Sequence, residues 1–162
     1  MIYPFKGRQP KISSPFGWRV HPILKVKRHH NGVDYASATG TPVLAVNKGT
    51  VVFAGPSMIK FPSGEPAGGG YIVRIRFRNK GKAYTASYMH LKKGSIRQAG
   101  IKVGDKVVEG QKLGESGNTG ESTGPHLHFE IQEGAKYVWT ADGSRYLEPV
   151  SFIKARLTKR NY

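Results

Sequence analysis

The segment Gly124-Pro125-His126-Leu127-His128-Phe129-Glu130 sets two histidines at i, i+2 inside an apolar, aromatic run. Strand side chains alternate, so both imidazoles share one face while Leu127, Phe129 and Ile131 turn the other way, into a core. Two imidazoles side by side suit one metal ion plus one proton-transfer group. Further partners lie upstream: His30 and Asp34 in HHNGVD, and His90 in YMHL.

His30 and Asp34 need a bend between them. Residues four apart in an extended strand lie roughly 13 Å from each other, at about 3.3 Å per residue. Two ligands of one ion must bring their donor atoms within about 3–4 Å, since each sits about 2.0–2.2 Å from the metal. Asn31-Gly32 is a turn dipeptide that supplies the bend. Alone, HxxxD fits a surface loop better than a ligand pair, and a lone His90 fits a strand end. The HxH pair alone divides evenly between structural histidines and a site. The combination reads differently. One carboxylate with up to four imidazoles, on strand ends and tight loops, fits a catalytic metal site with three protein ligands and an open position. Such a site acidifies a water and polarises a carbonyl, and a hydrolase adds a base and an oxyanion donor.

The elements that must carry these residues are short strands. At 162 residues the chain is one domain with room for a real core. It has 21 glycines, 10 prolines and frequent Val/Ile/Phe/Tyr runs, and no long apolar stretch of helical period, which points to an all-β fold. Residues 1–12 read as an irregular basic lead-in, 13–153 as the core and 154–162 as a basic tail, with 147–162 forming a short helix or fraying. Strands are expected at 40–46, with 49–55 as its hairpin partner, then at 71–78, 83–91 and 126–131. Tyr71, Val73, Ile75 and Phe77 alternate with Arg74, Arg76 and Arg78, a buried face backed by a solvent-exposed arginine row. Residues 56–70 lack periodicity and form a long loop, a wall of a cleft. Residues 104–117 faintly echo 40–55, a hint of duplication.

With no cysteine there is no disulfide framework, and any zinc must use imidazole and carboxylate. No segment reaches the ~20 apolar residues of a membrane span, and MIYPFKGRQPKISS has no apolar secretory region. A net charge of +16 implies a polyanionic partner or surface. A nucleic-acid binder is disfavoured, because no platform of interleaved aromatic and basic residues is recognisable.

Four signatures, FGWRVHPI, HNGVDYASATGTPVLAVNKGTVVFAG, YMHL and SGNTGESTGPHLHFEI, span Phe16 to Ile131 in order, and LEPVSFI follows. With them the chain resembles the lysostaphin-type, LytM-like zinc endopeptidases that hydrolyse peptidoglycan. The resemblance implies an antiparallel β-sheet or sandwich of the duplicated-hybrid-motif type, with a groove flanked by four loops. It implies one zinc held by His30, Asp34 and His128, with His30 chosen over His29 because Gly32 falls two residues after it. His126 becomes the general base and His90 the group that stabilises the tetrahedral intermediate or shares proton transfer; which of the two is the base stays open. The expected partner is bacterial peptidoglycan, in the stem or cross-bridge. Anionic wall polymers or an outer-membrane surface are further partners through the charge, and the chain is expected to be a monomer. The expected place of action is the cell wall, periplasmic or extracellular. Without a signal or wall-binding domain, the expected origin is a phage lysin or virion-associated module, free of the family's inhibitory upstream segment. An inactive, hydrolase-activating LytM-like module is the alternative.

Further expectations concern individual side chains. His21, held by Pro22, reads as structural, and Trp18 and Trp139 as core or rim packing. Arg19, Lys25, Lys27 and Arg28, ahead of the ligand loop, read equally as a solvated loop or as an attractor of anionic substrate.

Overall fold

The computed structural model describes residues 1–20 and 24–158, so the expectation for His21 lies outside the described residues. The strands are β1 (Ile12–Ser14), β2 (Gly17–Val20), β3 (Lys27–His30), β4 (Val33–Ala36), β5 (Pro42–Leu44), β6 (Gly49–Pro56), β7 (Tyr71–Asn79) and β8 (Lys82–Leu91). A one-turn helix α1 (Ser95–Gln98) leads to β9 (Lys106–Val107), β10 (Lys112–Glu115), β11 (His126–Glu133), β12 (Tyr146–Leu147) and α2 (Pro149–Lys154). The expected all-β fold is what forms. The main sheet is antiparallel, in the order β1-β4-β11-β8-β7-β6-β9 with β12 added on β11, and β5–β10 and β2–β3 form two small ribbons.

One face of the main sheet is the core. Val73, Ile75 and Phe77 of β7, Ala86 and Tyr88 of β8, Leu127, Phe129 and Ile131 of β11, and Val33 and Tyr35 of β4 are all buried there. The alternation read from the sequence produces this face directly. The β5–β10 ribbon contributes Val43 and Leu113 to the same cluster. Helix α2 starts on Glu148, whose carboxylate accepts the amides of Val150 and Ser151, with Pro149 opening the first turn. It delivers Phe152 against the rings of Tyr84 and Phe77.

The opposite face is polar and also covered. Thr85 and Ser87 of β8 and Glu130 and Gln132 of β11 are buried there. Segment 134–145 folds over them: Thr85 donates to Gly134 O at 3.0 Å, and Gln132 accepts the Val138 amide at 2.7 Å. Arg74 belongs to this covered layer rather than to an exposed row. Its guanidinium lies 3.8 Å from the Tyr137 ring centre and Nε donates to Ser87 Oγ, whereas Arg76 and Arg78 are exposed as expected.

Two further expectations change. The 49–55 strand is not the hairpin partner of 40–46. β6 pairs with β7 and β9, and β5 pairs with β10. The two segments that echo each other therefore exchange strands: the first strand of each pairs with the second of the other. Residues 1–5 are irregular but are not a lead-in outside the core. Met1, Ile2, Tyr3 and Phe5 are buried, Ile2 N donates to Val46 O, and Leu44 N donates to Pro4 O. Of the core-or-rim expectation for Trp18 and Trp139, the core half falls away, since they are 54% and 66% exposed.

Phe5 meets Tyr35 edge-on, with centroids 6.3 Å apart. Phe5→Ala is expected to cost about 3–5 kcal/mol, the usual range for emptying a buried aromatic site, read as a lowered midpoint in urea unfolding with an unchanged slope.

Candidate metal centre

The site lies at one end of the polar face, where β4 and β11 run side by side. His128 stands directly opposite Asp34, and His126 opposite Ala36. His30 comes from the end of β3, which belongs to a different ribbon, and the chain passes between the two sheets at Asn31-Gly32. Glycine is required here by close approach. A Cβ on Gly32 would lie 2.4 Å from Phe129 O and 2.9 Å from His128 Nε2. The bend expected at this dipeptide is thus also a backbone-to-strand contact.

Ligand atoms of His30, Asp34 and His128 all lie within 4.8 Å of one another. Asp34 Oδ1 is 2.8 Å from His128 Nδ1 and 3.3 Å from His30 Nε2, and the two ring nitrogens are 3.2 Å apart. His30 Nδ1 donates to Pro15 O at 2.8 Å, and His128 Nε2 donates to Glu130 Oε1 at 2.9 Å. A carbonyl can only accept, so His30 keeps its proton on Nδ1. With both imidazoles neutral, His30 Nε2 and His128 Nδ1 present lone pairs to each other and to a carboxylate. That cluster calls for a cation. A proton meets the need in part: burial works against an imidazolium, yet the bonds to Asp34 and Glu130 push His128 up to about 9. Burial raises Asp34, but the two histidines more than reverse it and hold the carboxyl well below the usual range. Two nitrogens and one oxygen converging in this way fit a three-ligand divalent metal site with an open position.

The other two imidazoles stand beside this cluster. His126 Nδ1 donates to Gly124 O at 2.8 Å, and its Nε2 is 3.6 Å from Asp34 Oδ1. His90 Nδ1 donates to Thr119 O at 2.7 Å, and its ring centre is 4.8 Å from that of His126 and 6.0 Å from that of His128. Simple alternation along β8 would send His90 to the core side with Tyr88 and Ala86. Instead the pairing moves two residues along β7, from Tyr71 to Val73, while it moves three along β8, from Leu91 to Tyr88. This bulge, with His90 at φ 62°, turns the ring into the cleft. Burial first, then the neighbouring His128, pull His90 down to about 4, which keeps it neutral.

His29 takes no part. Its ring meets Phe16 and Trp18 edge-on, and Nδ1 lies 2.7 Å from Asn31 Oδ1. The structure brings together all five residues singled out in the sequence and separates His29 from them. Sequence reasoning missed the partners that orient the rings: Pro15, Thr119, Gly124 and Glu130. Only Glu130 left a signal, since in HLHFE it falls on the same strand face as the two histidines.

Two imidazoles and a carboxylate that converge on one point, with two further imidazoles alongside, form the arrangement of a metallohydrolase. The model of peptidase family M23 matches residues 28–140, and the chain belongs to that family. It is 40% identical over 122 residues to the peptidoglycan DD-endopeptidase ShyA of Vibrio cholerae, covering 75% of this chain and 24% of that protein. Among solved structures, the catalytic domain of the antimicrobial peptidase lysostaphin from Staphylococcus simulans superposes with a TM-score of 0.68 at 34% identity, covering 90% of this chain and 92% of that one. The prophage-encoded M23 protein EnpA of Enterococcus faecalis gives 0.65 at 32% identity, covering 92% and 95%. The chain spans about a quarter of the length of the curated relatives it matches.

Glu130 is 4% exposed and bonds the far nitrogen of a candidate ligand. Glu130→Gln is expected to lower metal affinity about 10- to 100-fold, as loss of such outer partners does, whereas His29→Ala leaves it unchanged. Competition with a chromophoric chelator measures both.

Proposed function

We propose that this chain is a zinc-dependent endopeptidase that hydrolyses a peptide bond in the stem or cross-bridge of bacterial peptidoglycan. The observation that carries the reading is the convergence of His30, Asp34 and His128 on one point, with His90 and His126 beside it. Relatives named as a peptidoglycan endopeptidase and as an antimicrobial peptidase support the substrate class. Imidazole and carboxylate donors without thiolate suit zinc, and a solved relative from Vibrio cholerae is described as a zinc-containing peptidase. The prophage-encoded relative supports a phage origin, in which the chain works on the wall from the periplasm or the outside.

His30, Asp34 and His128 would hold the metal, which when bound supplies an acidified water and polarises the scissile carbonyl. His126 and His90 both tie Nδ1–H to carbonyl oxygens, so each presents a bare Nε2 to the cleft. The pair is therefore equipped to accept a proton, and whichever ring holds one becomes a hydrogen-bond donor. In this reading His126, nearer Asp34, takes the proton of the attacking water and passes it to the leaving amine. His90 lies deeper, with its Nδ1–H on Thr119 O, and in this reading its bare Nε2 shares the proton that His126 takes up until it reaches the amine.

The 116–125 loop lies against the site, where Thr119 O and Gly124 O accept from His90 and His126, and the 57–70 loop packs on it through Glu121 N and Gly68 O. The 57–70 loop exposes Met58, Ile59 and Phe61. In this reading it shapes one wall and with it the choice of peptide.

Purified sacculi from Gram-negative and Gram-positive hosts, digested with and without chelator, are expected to release monomers from cross-linked dimers only when metal is present. Mass spectrometry of the fragments names the bond. His126→Ala is expected to retain metal but lose about 10²- to 10⁴-fold in turnover, the usual contribution of a general base. Metal bound stoichiometrically with neither wall cleaved would favour the inactive, hydrolase-activating alternative.

A further inference from the structure

The edge of the main sheet farthest from the metal centre carries a groove of about 690 Å³. Lys48, Arg76, Arg78 and Lys106 line it, over a floor that includes Val107 and Val108. The sheet register sets the spacing of the charges. Thr50 of β6 stands opposite Arg76 on one side and Lys106 on the other. Arg76 and Lys106 are therefore two strands apart on one face, about 10 Å, and Arg78 follows Arg76 by two residues, about 7 Å. Lys106 Nζ donates to Thr50 Oγ1 at 2.9 Å, and Arg78 Nη1 donates to Gly81 O at 3.1 Å, which fixes where these two cations sit.

Among the described residues, nothing neutralises these charges. Elsewhere Lys92, Lys93 and Lys112 pair with Glu115 or Glu65. Among the described residues, none of the four groove cations has a carboxylate within ion-pair distance, and no carboxylate lines the groove. Asp105, beside Lys106, turns its Oδ2 to the Lys102 amide at 2.9 Å. All four cations are exposed.

We propose that this groove binds a phosphodiester-linked polyol or sugar polymer, with successive phosphates on Lys106, Arg76 and Arg78 as the chain crosses β9, β6 and β7. A row of separated cations suits a partner with repeating anions, and the arginines can meet phosphate with two parallel bonds. Single-stranded nucleic acid shares the phosphodiester but needs aromatic platforms for its bases. Among the described residues, the only aromatic one lining it, Phe77, is 2% exposed. Thr85, in register with Arg76, is five residues from His90 along β8, about 17 Å. A polymer held here leaves the cleft open and keeps the enzyme on the wall. The choice of a wall polymer rests on the peptidoglycan reading; the groove's preference for a linear polyphosphate does not.

The test is binding of soluble poly(glycerol phosphate) to the full chain at about 0.15 M salt, where bare long-range attraction is largely screened. The variant Arg76→Gln/Arg78→Gln/Lys106→Gln is expected to lose about tenfold or more in affinity, through the loss of charge-assisted bonds. It should still digest polymer-free peptidoglycan like the parent. Lys6→Gln/Arg8→Gln/Lys11→Gln removes the same charge at exposed positions near the β1 edge, and is expected to bind the polymer like the parent. Arg78→Gln alone, giving a partial loss, serves if the triple variant is destabilised. Equal weakening by both triple variants would overturn the proposal in favour of net charge alone. So would tighter binding of single-stranded DNA of matched charge, or binding to anionic vesicles without binding to the soluble polymer. Because the readout is binding, its failure is separate from any failure to cleave peptidoglycan.

Discussion

Each of the four cleft imidazoles surrenders one ring nitrogen to a fixed acceptor: Pro15 O, Thr119 O, Gly124 O or the Glu130 carboxylate. The rest of the site depends on that constraint. It sets which nitrogen is free and the plane in which its lone pair lies, so four flexible side chains reach the cleft already oriented. The acceptors come from separate places, the β1–β2 turn, the 116–125 loop and β11. The sheet therefore brings the rings together, and the loops aim them. A polar second face is the corollary. Glu130 stays buried only because segment 134–145 closes over the strands behind the metal centre, where Gln132 and Thr85 hold that cover down.

Much of this was legible in the residue order. HLHFE shows two imidazoles on one strand face because β-side chains alternate, and HHNGVD shows a bent ligand pair because Asn-Gly turns. The β7 alternation predicts its buried face correctly. What alternation could not show was its own interruption. His90 reaches the cleft through a bulge, and nothing in YMHL announces an extra residue. The backbone acceptors were equally hidden, since any residue offers a carbonyl and only the loop's path decides where it points.

Longer-range pairing was also beyond local reading. Two adjacent apolar stretches with a turn between them look like a hairpin. Yet Leu44 is a three-residue strand's end, and its partner Lys112 lies far along the chain. Burial of the polar face likewise turned Arg74 from an exposed charge into a cation stacked under Tyr137. MIYPF carries the apolar residues of a core element, but Pro4 and the charged run after it hide any strand period, so its place along β5 could not be read.

The loops 57–70 and 116–125 meet backbone to backbone. A Cβ on Gly70 would lie 2.5 Å from Thr119 C, and one on Gly120 would lie 2.4 Å from Gly68 O. Glu121 N donates to Gly68 O, and His90 N to Gly69 O. The contact is too close to yield to an added side chain, and Thr119 Oγ1 also accepts the Tyr71 amide across it, so these two loops form a single unit. A graft meant to retarget the cleft must carry both segments together, because either one transplanted alone would arrive without the surface that seats it.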